Sequence, residues 1–303
     1  MTFRSKFTNL IAAPLAILAM SASAEQIDPS TPEGYIAVQR KIQCSLKDNE
    51  PVVYSWQGRA YSRVPGERDK NVFNLDGMNI RQCVTVTDPV RGVGYRLVSR
   101  EIMLYTDPKT GELMDVFDNP WTGEKNEVIH VANDPVNFGG GSFGKDSNGK
   151  PIPFKLREIN GTWMQANEFP LFYTNPLAGD YQEYVGGTYH ATEIFDFSGE
   201  VDELLDANTD KAYPTIAWVR IADWLPFMEM GSRTGDLYFN AIGKKLENFD
   251  QLTPLMKKTI AERYPEYTAP PPGDDTRPNE TSWTYMKKII DKRNEGKPKK
   301  QGH

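Results

Sequence analysis

The feature that most constrains the fold of this chain is a long stretch in which apolar and polar residues alternate with a period of two. Between residues 50 and 222 about eight segments are rich in β-branched and aromatic residues, among them GYRLVSREIMLYT, GGTYHATEIFDF and PTIAWVRI. Gly and Pro turns separate them, and no long helical pattern interrupts them. The pattern therefore predicts a mainly β protein with an antiparallel sheet, either a barrel or a sandwich-like domain.

Helical patterns flank this region on both sides. A first helix is predicted near residues 31–45, after a capping Ser30 or Thr31. Two more are predicted at 252–263 and 282–293, joined by the proline-rich segment TAPPPGDDTRPNE. The sequence shows no internal repeat and no abrupt change of composition. We therefore predict one β-rich domain over residues 25–303, with helices at its N- and C-terminal ends.

The first 24 residues have the three parts of a secretory signal peptide. Arg4 and Lys6 give a positive start, an apolar run covers residues 10–20, and Ala22-Ser23-Ala24 is a small-residue cleavage site. A resident membrane helix needs about 20 apolar residues, so an uncleaved anchor is the weaker interpretation. We expect export, cleavage after Ala24 and a periplasmic or secreted mature protein.

The charge balance limits the classes of partner. The formal net charge of −6 becomes −8 once Arg4 and Lys6 are removed with the signal peptide. Nucleic acids and anionic membrane surfaces both select basic proteins, so neither is expected as a partner. The predicted partner is a small-molecule ligand or substrate.

The two cysteines, Cys44 and Cys83, leave two interpretations open. In an oxidising compartment a pair is typical of a disulfide, but the sequence does not give the distance between the two residues. Two separate buried thiols are the alternative. The chain has no CxxC motif, which disfavours thioredoxin chemistry and structural zinc.

Five ionisable side chains within predicted strands are the candidates for catalysis. They are His130, His190, Glu101, Glu193 and Arg100. A histidine suits proton transfer near neutral pH, a glutamate can be its partner or the acid, and an arginine can stabilise an anion. Their positions among apolar neighbours predict one shared cavity, because an unpaired charge in a closed core is costly.

Two other interpretations of these residues remain open. They could form a hydrogen-bond network that only stabilises the fold. His130, His190 and one glutamate could instead form a two-histidine, one-carboxylate metal site, but HxH and HExxH motifs are absent. Because these motifs are absent, we predict no metal. Strand alternation also allows only one of Arg100 and Glu101 to point inward unless a bulge intervenes.

Motifs for common cofactors and nucleophiles are absent. The glycine run GGGSFG at 139–144 lacks the Gly-Lys-Ser/Thr ending of a phosphate-binding loop and is interpreted as a flexible loop. No Gly-X-Ser-X-Gly or Ser-X-X-Lys motif occurs either. No cofactor is predicted.

Aromatic residues in the predicted strands suggest the wall of a small-molecule pocket. The candidates are Tyr54, Trp56, Trp163, Tyr189 and Trp218, although large aromatic residues are also good core residues. We therefore expect a cofactor-independent lyase or isomerase that applies general acid/base chemistry to a small organic compound, for example an aromatic one. The alternative is a periplasmic barrel that binds a small molecule without catalysis.

Five phrases of the sequence resemble the bacterial family called domain of unknown function 1838. They are WQGRAYSRVPGER at 56–68, FNLDGMNIRQC at 73–83, VSREIMLYTDPKTGEL at 98–113, NPWTGEKNEVIHVANDPVN at 119–137 and MEMGSRTGDLYFNAIGKKL at 228–246. The resemblance covers most of the mature chain and implies a secreted single domain. It implies no activity, cofactor or catalytic residue.

Overall fold

The computed structural model describes residues 25–137 and 139–295. The predicted signal peptide, residues 1–24, and the third histidine, His303, lie outside the described residues. Within those residues, each helix is too short or too polar to cross a membrane.

The described chain contains twelve strands and four α-helices. The long strands between residues 50 and 222 lie where the alternating pattern predicts strands, whereas the strand at 236–246 lies beyond the predicted β region. The strands are β1 (Val52–Arg63), β2 (Lys70–Asp88), β3 (Gly92–Thr106), β4 (Val116–Asp118), β5 (Lys125–Glu127), β6 (Val131–Val136), β7 (Ser142–Phe143), β8 (Arg157–Ile159), β9 (Thr162–Thr174), β10 (Thr188–Glu200), β11 (Thr215–Ala222) and β12 (Asp236–Leu246). The helices are α1 (Pro32–Gln43), α2 (Val201–Leu205), α3 (Pro254–Arg263) and α4 (Ser282–Arg293). The flanking helices therefore lie within the predicted ranges.

Each of the three longer helices begins after a threonine. The hydroxyls of Thr31, Thr253 and Thr281 accept hydrogen bonds from backbone N–H groups of the first turn, at 3.0, 3.1 and 3.2 Å respectively. These bonds satisfy donors that a helix start otherwise leaves unpaired. Because this signal is local, the helix starts could be predicted from the sequence.

Ten strands form one antiparallel sheet in the order β6-β3-β2-β1-β12-β11-β10-β9-β8, with β7 beside β3. The prediction of a mainly β, antiparallel fold is confirmed. Of its two alternatives, the closed barrel is wrong and the sandwich-like arrangement fits. Helix α4 packs against β6, and its Trp283 contacts Tyr189 of β10 with ring centroids 4.4 Å apart. The helix thus contacts the edge strand β6 and also β10, which is two strands in from the opposite edge.

The sheet has two faces, and strand β3 shows how they differ. Its odd-numbered residues, from Ser99 to Tyr105, line a large cavity, and we call this side the inner face. Its even-numbered residues Ile102 and Leu104 belong to a second apolar cluster with Met256 and Ile260 of α3. We call this side the outer face. Full burial of each such side chain stabilises the fold by about 1.5–3 kcal/mol.

A disulfide joins Cys44, directly after α1, to Cys83 of β2, with Cα atoms 5.9 Å apart. Of the two interpretations that the sequence left open, the disulfide is the one the structure contains. The bond fastens α1 against the inner face. A cross-link of this kind stabilises a fold by typically about 2–4 kcal/mol, chiefly by restricting the unfolded chain.

Candidate functional site

The inner face of the sheet encloses a cavity of about 920 Å³ with α1 and α4. Strands from both ends of the sheet contribute to it, including Asn133 of β6 and Tyr173 of β9. The sheet must therefore curve strongly around the cavity. The volume lies within the usual range of small-molecule sites, about 300–1,000 Å³.

A buried ion pair lies at one side of this cavity. Arg220 of β11 and Glu193 of β10 are directly opposite each other in the antiparallel register, and Arg220 Nε lies 3.2 Å from Glu193 Oε1. Arg220 also donates a hydrogen bond to the Tyr189 hydroxyl, and its guanidinium lies 4.9 Å from the ring centroid of Trp283. Arg220 is therefore both charge-compensated and held in place by rings.

Glu101 projects from β3 into the same cavity. Removal from bulk water raises the pKa of its carboxyl group to about 7, and the negative charge of Glu193 adds to this rise. Arg81 and Arg220 act in the opposite direction to a smaller extent. A carboxyl group with such a pKa exists in both protonation states near neutral pH, which suits general acid/base chemistry.

Arg81 of β2 is the second arginine of the cavity. Its Nε donates to Asn79 Oδ1 and its Nη1 to Gln43 Oε1, both at 2.7 Å. The guanidinium stacks over Tyr54, 4.8 Å from the ring centroid. The Tyr54 hydroxyl in turn donates to the Ile42 carbonyl at 2.6 Å. Neutral groups thus fix the orientation of this cation.

Four of the five predicted aromatic residues line the cavity: Tyr54, Trp56, Tyr189 and Trp218. The indole of Trp56 lies directly against Gly77 of β2, where a Cβ atom would approach Trp56 Nε1 to 2.2 Å. Gly77 is therefore required for this ring position. The fifth residue, Trp163, is fully buried in the adjoining core and does not line the cavity.

The prediction of one cavity shared by both histidines is wrong, and His130 is the first reason. It precedes β6, is 5% exposed, and does not line the inner cavity. Its Nδ1 accepts a hydrogen bond from the Tyr105 backbone N–H at 3.1 Å. Burial lowers the pKa of His130 to about 4, with a further contribution from the charge of Arg263. The ring is thus neutral at pH 7.

His190 is the second reason. It lies on β10 with the side-chain orientation opposite to that of Glu193, because the two residues are three positions apart. Its ring is exposed and lines a separate cleft of about 510 Å³ with Asp223 and Asp236. The two-histidine metal set is therefore not assembled. The part of the chain that the structure describes contains no cluster of three or more His, Cys, Asp or Glu side chains suited to a metal.

Arg100, the predicted anion stabiliser, points to the outer face. Its Nε lies 3.1 Å from Asp134 Oδ1, and its Nη1 donates to the carbonyls of Glu266 and Ala269 at 2.8 Å each. These contacts hold the C-terminal segment against the sheet. Arg100 therefore takes no part in the cavity, and strand alternation is the cause, since Glu101 occupies the inward position.

A family model described as protein of unknown function (DUF1838) matches residues 49–290, which is most of the chain. The chain belongs to the DUF1838 family. A search of curated proteins finds no match. The range matched by DUF1838 contains Glu101, Glu193 and both arginines of the cavity, whereas α1 and its Gln43 precede it.

Two residues of the inner cavity were not predicted from the sequence: Arg81 and Arg220. A signal for both existed. In PTIAWVRI, Arg220 alternates with Ile216 and Trp218, and all three line the cavity. In NIRQC, Arg81 shares a face with Asn79 and Cys83.

Proposed function

We propose that this chain is a cofactor-independent acid/base enzyme of the lyase or isomerase class that acts on a small organic compound in the inner cavity. Glu101 is the general base. The observation that carries the proposal is a carboxyl group placed in an enclosed, ring-lined cavity where its pKa rises to about 7. The two histidines have no role in this mechanism.

The other cavity groups have supporting roles. The charge of Glu193 favours a neutral Glu101 and so raises its basicity. Arg220 compensates Glu193 and is fixed by Tyr189 and Trp283. The proton taken from the substrate by Glu101 is returned to the product or to the leaving group, so no external oxidant or reductant is needed.

A non-catalytic binding protein is the second candidate function. It is favoured by the aromatic lining of the cavity, which includes the rings of Tyr54, Trp218 and Phe239. Binding alone requires only an apolar cavity with a few orienting polar groups. The two candidate functions predict different effects of removing the Glu101 carboxylate: an enzyme would lose turnover, whereas a binding protein would have no turnover to lose.

Turnover of a panel of small aromatic compounds by the purified protein tests the proposal. We expect Glu101→Gln to lower kcat by at least ~100-fold, the usual scale for the loss of general acid/base catalysis. The wild-type kcat/KM should rise with pH through about 7, because the base must be deprotonated, and this inflection should be absent from the variant. Glu112→Gln, an exposed substitution of the same kind, is the control.

Full turnover by Glu101→Gln would refute the role of this residue. Binding of panel compounds by both proteins, with turnover by neither, would support the binding candidate instead.

A further inference from the structure

The two arginines that line the inner cavity differ in whether they have an ion-pair partner. Arg220 has an ion-pair partner in Glu193. Arg81 has none: among the residues that the structure describes, no carboxylate oxygen lies within 4.0 Å of its nitrogens. A cation removed from bulk water without an anionic partner is costly, so such groups are usually paired.

The hydrogen bonds of Arg81 leave one side of its guanidinium free. Nε and Nη1 each have a neutral acceptor, Asn79 and Gln43, and the planar group stacks on Tyr54. Within the described residues Nη2 has no acceptor. A guanidinium carries five N–H donors in a rigid fork that matches the geometry of a carboxylate or sulfonate. Its orientation is therefore fixed before any anion arrives.

The position of Arg81 relative to Glu101 gives the geometry of a ligand. In the β2–β3 register Asn79 is opposite Glu101, and Arg81 is opposite Ser99. Arg81 and Glu101 are thus diagonal neighbours on one face, a separation of about 7–8 Å between Cα atoms. If the acid group of a small-molecule ligand paired with Arg81, the adjoining part of that ligand would lie beside Glu101.

We propose that the ligand of this cavity is an aromatic monoanion whose acid group pairs with Arg81 and whose ring lies among the aromatic side chains of the inner face. This inference rests on the proposed function only in taking the same cavity as the site. One unpaired cation selects one negative charge, and the nearby carboxyl groups of Glu101 and Glu193 disfavour a second. The ring-lined wall, including Trp218 and Phe239, selects the aromatic part.

Two fluorescent probes with the same rings test the charge selection. 8-Anilinonaphthalene-1-sulfonate carries one negative charge, and N-phenyl-1-naphthylamine is the same molecule without the sulfonate. Arg81→Gln should weaken binding of the sulfonate at least 10-fold and binding of the neutral probe less than 2-fold. Arg81→Lys, which keeps the charge, should retain more of the sulfonate affinity than Arg81→Gln.

Arg59→Gln is the matched control, because it removes the same charge from an exposed position of β1 outside the cavity, and it should leave both affinities unchanged. Unchanged binding of the neutral probe also shows that the cavity of Arg81→Gln is intact. A change of less than 2-fold for the sulfonate, or equal losses for both probes, would overturn the inference and leave the role of Glu101 standing. Failure of both probes to bind the wild type would overturn the inference, and turnover by the wild type and Glu101→Gln would decide the proposed function separately.

Discussion

Adjacent charged residues on the two faces of the sheet differ in their partners, as Arg100 and Glu101 show. On the outer face, Arg100 has an ion pair with Asp134 and two backbone carbonyls as acceptors. On the inner face, Glu101 has no ion-pair partner within the described chain and faces a cavity. Arg100 is thus saturated by the protein, whereas Glu101 remains available to a ligand.

His130 extends this comparison. It is ionisable and has a perturbed pKa, as Glu101 does, but its Nδ1 already accepts a backbone hydrogen bond and it is separate from the inner cavity. A perturbed pKa therefore has different meanings for the two residues. For His130 it follows from burial beside the Tyr105 ring, with a contribution from the charge of Arg263, and for Glu101 it follows from enclosure in a cavity.

The largest expected effect concerns His130 and acid stability. Its pKa is about 4 in the folded protein and about 6.5 in the unfolded chain, so the unfolded state takes up the proton first. The stability due to the neutral ring is therefore lost as the pH falls from about 6.5 through 4, by about 3 kcal/mol at most. His130→Asn keeps an acceptor but cannot titrate. Its free energy of unfolding in urea should fall less between pH 7 and 4.5 than that of the wild type.

Equal pH dependence in the two proteins would show that His130 is not held neutral by burial. The contrast between a histidine buried in packing and a carboxyl group that faces a cavity would then fail.

A smaller effect is expected from Arg100→Met. The change removes the contacts to Asp134 and to two carbonyls, and Asp134 keeps its second partner Arg277 at 2.7 Å. We expect a loss of about 2 kcal/mol in the free energy of unfolding, with unchanged binding of the two fluorescent probes. Glu101→Gln, by contrast, should not lower the free energy of unfolding.

For Glu101 the folded pKa of about 7 lies above the usual value of 4.5, so ionisation opposes folding as the pH rises through 7. At pH 8 Glu101→Gln should therefore be at least as stable as the wild type. A folded Arg100→Met protein that no longer bound the probes would break the distinction between the faces.

The smallest effect is expected from His190→Ala. The ring is exposed on the outer face, and the hydrogen bond to Asp223 Oδ2 comes from the backbone N–H, which the substitution keeps. The free energy of unfolding should change by less than about 0.5 kcal/mol, as for most exposed positions. Turnover should be unchanged, and a large loss of turnover would place a functional group outside the inner cavity.

Strand alternation predicted part of this site correctly. It separated Glu101 from Arg100 and Glu193 from His190, and the structure places each pair on opposite faces. It did not show which member faces the cavity, because both faces of the central strands are covered and apolar. For His130 the alternation was misleading, since β6 begins only at Val131 and the residue precedes the regular strand.

The sequence by itself determined most of the elements of this protein: the long strands between residues 52 and 222 through their period of two, and the first helix start through Thr31. These signals are local, so they need no knowledge of neighbours. Only the tertiary structure decided which charges meet. The contact between Arg220 and Glu193 depends on the register between two strands, and the inner cavity is completed by α4, which follows the last strand by more than 30 residues. Turn lengths and core packing set such registers, and alternation along a single strand does not contain that information.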